Sequence, residues 1–141
     1  MQAGNAQRQV AILGLFKTGG ADHPEKGVLI REAADRFDQI TVRILVLRDR
    51  LARPQQEGAT RVLMHSVVWQ YIPQEEREGI VEMMEQAGQE ASKDKPLAWI
   101  SLEANRDTHR HELTVRYWPG GQAWQKLATA HPHGSWIEWE G

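Results

Sequence analysis

Arg61-Val-Leu-Met-His65-Ser66-Val-Val-Trp69-Gln70-Tyr71-Ile-Pro73 is the stretch on which the fold turns. Val62 to Trp69 is apolar apart from His65 and Ser66, as expected of a strand covered on both faces. The run exits through Trp-Gln-Tyr, and Pro73 suits the first helical position, where a missing N–H loses nothing. Glu75 and Glu76 complement the positive end of the helix dipole. Ile80, Met83 or Met84, Ala87 and Ala91 then share one helical face. Lys93 and Lys95 favour a carboxyl end, and Pro96 stops the helix. Leu97 to Leu102 is a second continuous apolar run. Strand, helix, strand is a βαβ unit, so the two runs are expected to lie side by side and parallel, with a right-handed crossover.

Downstream the pattern changes. Ala104 to Thr108 is a polar loop. His111 to Trp118 alternates, with Leu113, Val115 and Tyr117 on one face and Glu112, Thr114 and Arg116 on the other, the mark of an antiparallel strand. Pro119-Gly-Gly121 is a turn, Trp124 to Ala130 a strand, His131 to Gly134 a turn, and Ser135 to Trp139 a last short strand. Upstream, residues 9–16 fit either a buried strand or a helical turn, since periodicity cannot separate them in so short a run. Pro24 to Gln39 has helical spacing at Val28, Leu29, Ala33 and Phe37. Ile40 to Leu47 is rich in β-branched residues and is expected as a strand. Arg48 to Arg53 is a turn of helix ended by Pro54 to Gly58. The architecture expected is a partial α/β sheet: a βαβ unit followed by an antiparallel meander.

The length of 141 residues suits one domain. A net charge of −2 gives no pull toward nucleic acid or anionic lipid. The absence of cysteine excludes disulfides, thiolate zinc sites and cysteine nucleophiles, and favours a reducing cytoplasm. No apolar run reaches the roughly 20 residues of a membrane span, and the first residues lack the basic start and apolar core of a signal peptide. All 6 tryptophans and both tyrosines fall after residue 68, which puts the core-forming capacity in the second half.

Few motifs carry chemistry. Gly14-Leu-Phe-Lys-Thr-Gly19 has phosphate-loop spacing, but Gly20-Ala21 replaces the Lys-Ser/Thr that grips phosphate and magnesium. His111-Glu112 opens a zinc-protease motif only with histidine where Val115 stands. His65 and Ser66 project to opposite faces and cannot act as base and nucleophile together, and no Gly-x-Ser-x-Gly elbow presents Ser66. A buried His65 donating to a backbone carbonyl is the plainer reading. His109 with His111, and His131 with His133, could converge on a metal ion, although the Pro132 turn should make the second pair diverge. Ligands of open α/β sheets bind beyond the carboxyl ends of the parallel strands. That rule makes His65, Trp69, Gln70 and Tyr71 candidates on one lip, with Glu103 and Asn105 on the other. A carboxylate at Glu103 can accept hydrogen bonds from ligand hydroxyls, and it can equally be a solvated loop residue.

Asp49-Arg-Leu-Ala-Arg-Pro54, Arg61 to Pro73, Pro96-Leu-Ala-Trp-Ile-Ser-Leu-Glu103, Tyr117-Trp-Pro-Gly-Gly121 and Ala130-His-Pro-His-Gly-Ser-Trp-Ile-Glu-Trp139 together resemble the bacterial family called domain of unknown function 2332. The resemblance runs from about Asp49 onward, matching the carboxyl-terminal part of a longer family. It implies a Rossmann-like, methyltransferase-like sheet in which the strand ending at Trp69 edges a cofactor cleft. The family has no established activity. The first strands and glycine-rich loop that would hold S-adenosylmethionine have no counterpart here. Residues 1–48 are therefore expected to be a divergent leader before a domain over 49–141, in a truncated or frame-altered member inactive toward that cofactor.

Three functional readings follow. The first is a small-molecule-binding protein on a fold related to S-adenosylmethionine-dependent methyltransferases. The second is a non-enzymatic interaction module that forms homodimers through an exposed sheet edge and its tryptophans. The third is a protein with an imidazole metal site.

Overall fold

In the computed structural model, which describes residues 10–16 and 45–141, the two apolar runs lie side by side and parallel. They form β2 (Thr60–Ser66) and β3 (Leu97–Ala104), in register from Arg61↔Leu97 to Ser66↔Leu102. The connecting helix α2 spans Gln74–Glu90, with Pro73 at its N-cap in extended conformation rather than inside the first turn. The end at Glu90 leaves Lys93 and Lys95 outside the helix.

Residues 10–16 settle the open question upstream: they form β1 (Val10–Phe16), parallel to β2. The meander follows as β4 (His111–Trp118), β5 (Gly121–Ala130) and β6 (Ile137–Trp139), each antiparallel to its predecessor. Among the described residues the sheet has 6 strands in sequential order, with two parallel pairings followed by three antiparallel ones, so the fold is mixed α/β. Among the described strands the order never reverses, and reversal is what creates the central crevice of a doubly wound sheet.

One upstream expectation fails. Residues 45–52 are helical, here α1, so the strand expected over Ile40 to Leu47 is helix in its described part. The reason is spacing. Leu47 is buried and Leu51 packs beside it four residues on, whereas Leu45 and Val46 point outward. That periodicity overrides the β-branched composition. The helix expected over Pro24 to Gln39 lies outside the described residues, as do Lys17 to Gly19 of the phosphate-loop-like stretch.

Both helices feed one core. Leu47 of α1, Ile80 and Met84 of α2, Leu63 of β2, Leu97 and Trp99 of β3, and Trp118 of β4 form one buried cluster. Arg61 fastens α1 to the sheet by donating to the carbonyls of Leu51 (3.0 Å) and Arg53 (2.8 Å). Gly88 is where α2 meets β4, because a Cβ there would stand 2.5 Å from the Trp118 indole. Only Trp99 and Trp118 are buried among the tryptophans; Trp124, Trp136 and Trp139 are exposed.

Cross-strand partners share a face, and on β4 this gives an unusual division. Arg116 pairs with Trp99 and Trp118 with Leu97, so the half of β4 carrying Glu112, Thr114 and Arg116 faces the helical side. Leu113, Val115 and Tyr117 lie on the opposite face. Arg116 tolerates this position because its guanidinium lies 4.6 Å from the Trp118 ring centre, 5.6 Å from Trp124 and 5.9 Å from Trp99. Cation–π attraction and the long aliphatic stem suit an arginine to such a place.

Candidate functional site

β2 ends in a sharp bend. Val67 adopts φ 50°, a left-handed conformation that β-branched residues rarely take. Its amide still bonds the Leu102 carbonyl at 2.9 Å, which keeps the bend tied to β3. The bend turns the next two amides back toward the sheet. Both meet one atom: Oε1 of Glu103 accepts from Val68 N–H at 3.0 Å and Trp69 N–H at 3.2 Å. The same oxygen lies 2.7 Å from His65 Nδ1. Because Glu103 acts as acceptor, Nδ1 carries the proton and donates. His65 thus donates to a carboxylate rather than to the expected backbone carbonyl.

Aromatic rings enclose this node. His65 is 2% exposed, stacks on Trp69 with centroids 5.0 Å apart, and meets the edge of Trp99 at 6.0 Å. Its Nε2 is buried without a hydrogen-bond partner. The Glu103 side chain keeps 16% exposure, so one carboxylate oxygen organises the bend while the residue also reaches the surface.

Beside it lies a shallow concavity of about 80 Å³, lined by Val67, Trp69, Gln70, Arg77, Glu103, Ala104 and Arg106. Of the six residues singled out by sequence, Trp69, Gln70 and Glu103 share this cleft. His65 does not line it and acts through Glu103. Tyr71 is half exposed and is not part of the lining.

Asn105 is not in the lining either; it shapes the neighbouring loop. Its Oδ1 accepts from the amides of Asp107 (2.8 Å) and Thr108 (3.3 Å), and its Nδ2 donates to Glu112 Oε2 at 3.1 Å. This turn-closing pattern is typical of asparagine and fixes the segment that carries Arg106.

Val67, Arg77, Ala104 and Arg106 escaped the sequence reading. Arg77 had a usable signal: it stands in the first helical turn after a strand exit, beside the sheet's carboxyl edge. Arg106 lies three residues beyond Glu103, in a loop the sequence marks only as polar.

The histidine pairs do not assemble a metal centre. Among the described residues no group of three or more potential ligands converges. Contrary to expectation, His131 and His133 do approach, with rings 5.6 Å apart. Their turn is closed by the His133 amide donating to His131 Nδ1 at 3.2 Å, which engages that nitrogen.

With this geometry in hand, comparison with known families is informative. The family model described as "Uncharacterized protein conserved in bacteria (DUF2332)" matches residues 21–139. The chain belongs to this family. The match begins well upstream of Asp49, where the sequence reading starts the resemblance, and includes both strands and the bend of the Glu103 node. No curated protein and no solved structure matches the chain. Among the described residues no helix is long and apolar enough to cross a membrane.

Proposed function

We propose that this family member binds a small polar molecule in the cleft at the carboxyl ends of β2 and β3, on a fold related to that of S-adenosylmethionine-dependent methyltransferases. One observation carries the reading: the Glu103 node holds a carboxylate and an indole on the wall of a concavity. It stands where ligands of parallel α/β sheets are bound. The relation to methyltransferases is supported by the parallel β2–α2–β3 unit and the antiparallel strands that follow it.

Size sets the limit on the ligand. A concavity of about 80 Å³ is far below the roughly 300–1,000 Å³ of sites that engulf a whole drug-sized ligand. The cleft formed by the described residues is therefore too small to enclose S-adenosylmethionine, and the reading is one of binding rather than catalysis. His65 Nε2 is walled in by tryptophan and offers no base to the cleft. The absence of cysteine supports the cytoplasm as its compartment.

Amide chemical-shift mapping on the full chain tests this, using glycerol, ribose, acetate and inorganic phosphate as probes. At least one should move a contiguous set at residues 67–70 and 103–106, while calorimetry detects no micromolar binding of S-adenosylmethionine. A panel that leaves those amides unmoved, or micromolar heat from the cofactor, refutes the proposal.

A second reading, self-association, has its own supporting observation. Among the described strands β6 lies at one edge of the sheet, and it exposes Ile137 (45%) and Trp139 (63%) beside Trp136 (50%). Exposed edge strands recruit other strands. Light scattering at high concentration decides it: a monodisperse monomer removes the homodimer.

A further inference from the structure

Resting on the small-molecule reading above, we infer that the group recognised in the cleft is an oxyanion, a phosphoryl or carboxylate group held by Arg77 and Arg106. Two arginines line one concavity from different elements, Arg77 from the first turn of α2 and Arg106 from the β3–β4 loop. Within the described structure neither side chain has an ion pair or a hydrogen bond. Arg53, Arg61 and Arg116 are engaged instead: Arg53 with Asp49 at 2.7 Å, Arg61 with two carbonyls, and Arg116 with Glu85 and three indoles.

Arg77 Nε is buried with no acceptor; Arg116 Nε is too, but the rest of that guanidinium is held by Glu85 and three indoles, whereas that of Arg77 has no such partner among the described residues. A buried donor left unmatched is costly, and a bound oxyanion supplies the acceptor it lacks. Guanidinium groups match carboxylate and phosphate oxygens in planar, paired geometry.

The single carboxylate in the lining does not cancel this. Glu103 Oε1 already receives three N–H donors, from His65, Val68 and Trp69, which offset much of its charge locally. Volume agrees as well. A space of about 80 Å³ is two to three times the roughly 30 Å³ share of one liquid water. That suits one oxyanion group, with the rest of its molecule lying outside over Trp69 and Gln70.

The test titrates the labelled full chain separately with inorganic phosphate, acetate and ribose, holding ionic strength constant with sodium chloride to remove general screening. Phosphate or acetate is expected to shift the amides at 67–70 and 103–106, and the arm that acts separates a phosphoryl from a carboxylate preference. Arg77→Gln and Arg106→Gln should each weaken that binding by about tenfold, the effect of removing one charge-assisted hydrogen bond. Arg110→Gln, in the same loop but outside the cleft, should leave it unchanged.

Arg106 is exposed, so its variant reports on binding even if Arg77→Gln perturbs the helix. Shifts from ribose without any from either anion overturn the oxyanion inference and leave the small-molecule reading standing. No shift from any of these probes, nor from glycerol, overturns both. Anion shifts that survive both cleft variants, or that fall equally in Arg110→Gln, overturn the assignment to these two arginines.

Discussion

Trp99 has a polar neighbour on each flanking strand, and the two are accommodated in different ways. On β2, the His65 ring packs edge-to-face with it, centroids 6.0 Å apart; on β4, the Arg116 guanidinium lies 5.9 Å from its ring centre. His65 is matched to one carboxylate at 2.7 Å, and that carboxylate also gathers two backbone amides. Arg116 has only the exposed Glu85 at 3.4 Å and otherwise spreads its charge over three indoles. The first arrangement is directional. It fixes the Val67 bend and so gives the cleft its shape. The second is diffuse and fixes no loop; it lets a cation occupy the core side of a sheet. A polar side chain in this core therefore shapes a site only where its partner also holds main chain.

The largest expected effect comes from breaking the directional side. Glu103→Ala removes the acceptor of three N–H donors at once. Each donor buried without a partner costs about 1–3 kcal/mol, so the total should reach roughly 3 kcal/mol or more. Urea unfolding should register this, and amides at 67–70 should lose protection. Glu103→Gln keeps a neutral acceptor oxygen and should recover about half of the loss. Equal stability of the alanine variant and the parent would show that the node does not hold the bend.

The diffuse side should yield less. Arg116→Ala deletes the cation over the indoles and the stem that packs on them, for an expected loss of about 1–2 kcal/mol. The contact with Glu85 adds little, because exposed ion pairs are worth close to nothing. Glu85→Ala should therefore leave the unfolding midpoint nearly unmoved. If Glu85→Ala destabilises as much as Arg116→Ala, the ion pair rather than the aromatic cage carries the arginine.

Sequence pattern alone discloses the directional half better than the diffuse one. The parallel pair β2 and β3 is legible because each run is continuously apolar and a helix-length segment joins them. Trp69, Gln70 and Glu103 follow from it by the rule that ligands sit at carboxyl strand ends. What pattern does not carry is which oxygen of Glu103 faces which donor. That depends on Val67 entering a left-handed conformation, for which a valine gives no warning. Arg116 is equally hidden, since alternation on β4 separates polar from apolar residues without saying which set meets the helices. The strand expected over Ile40 to Leu47 fails for a related reason: the Leu47–Leu51 spacing that decides α1 is short and sits beside a run rich in β-branched residues.

The smallest effect, at the far end of the meander, sharpens the contrast between directional and diffuse charge. Lys126 on β5 reaches Glu140 at 2.8 Å and Glu112 at 3.5 Å. The hydrogen bond to Glu140 is the main reason its pKa is raised above the usual 10.5, helped by the charges of both carboxylates and opposed by partial desolvation. A lysine whose pKa is higher folded than unfolded contributes stability that is complete below the unfolded value. That contribution fades as pH rises through the folded value. The window is therefore alkaline, beginning near 10.5, and neutral pH lies on its plateau. Lys126→Met should flatten the melting temperature across that window and lower it only slightly at neutral pH, because the group is solvent-screened. Added salt should shrink the difference between parent and variant, whereas it should scarcely alter the loss from Glu103→Ala. A salt-insensitive Lys126 effect would mean that this lysine is held as tightly as the Glu103 node, and the distinction between the two kinds of charge pairing would fail.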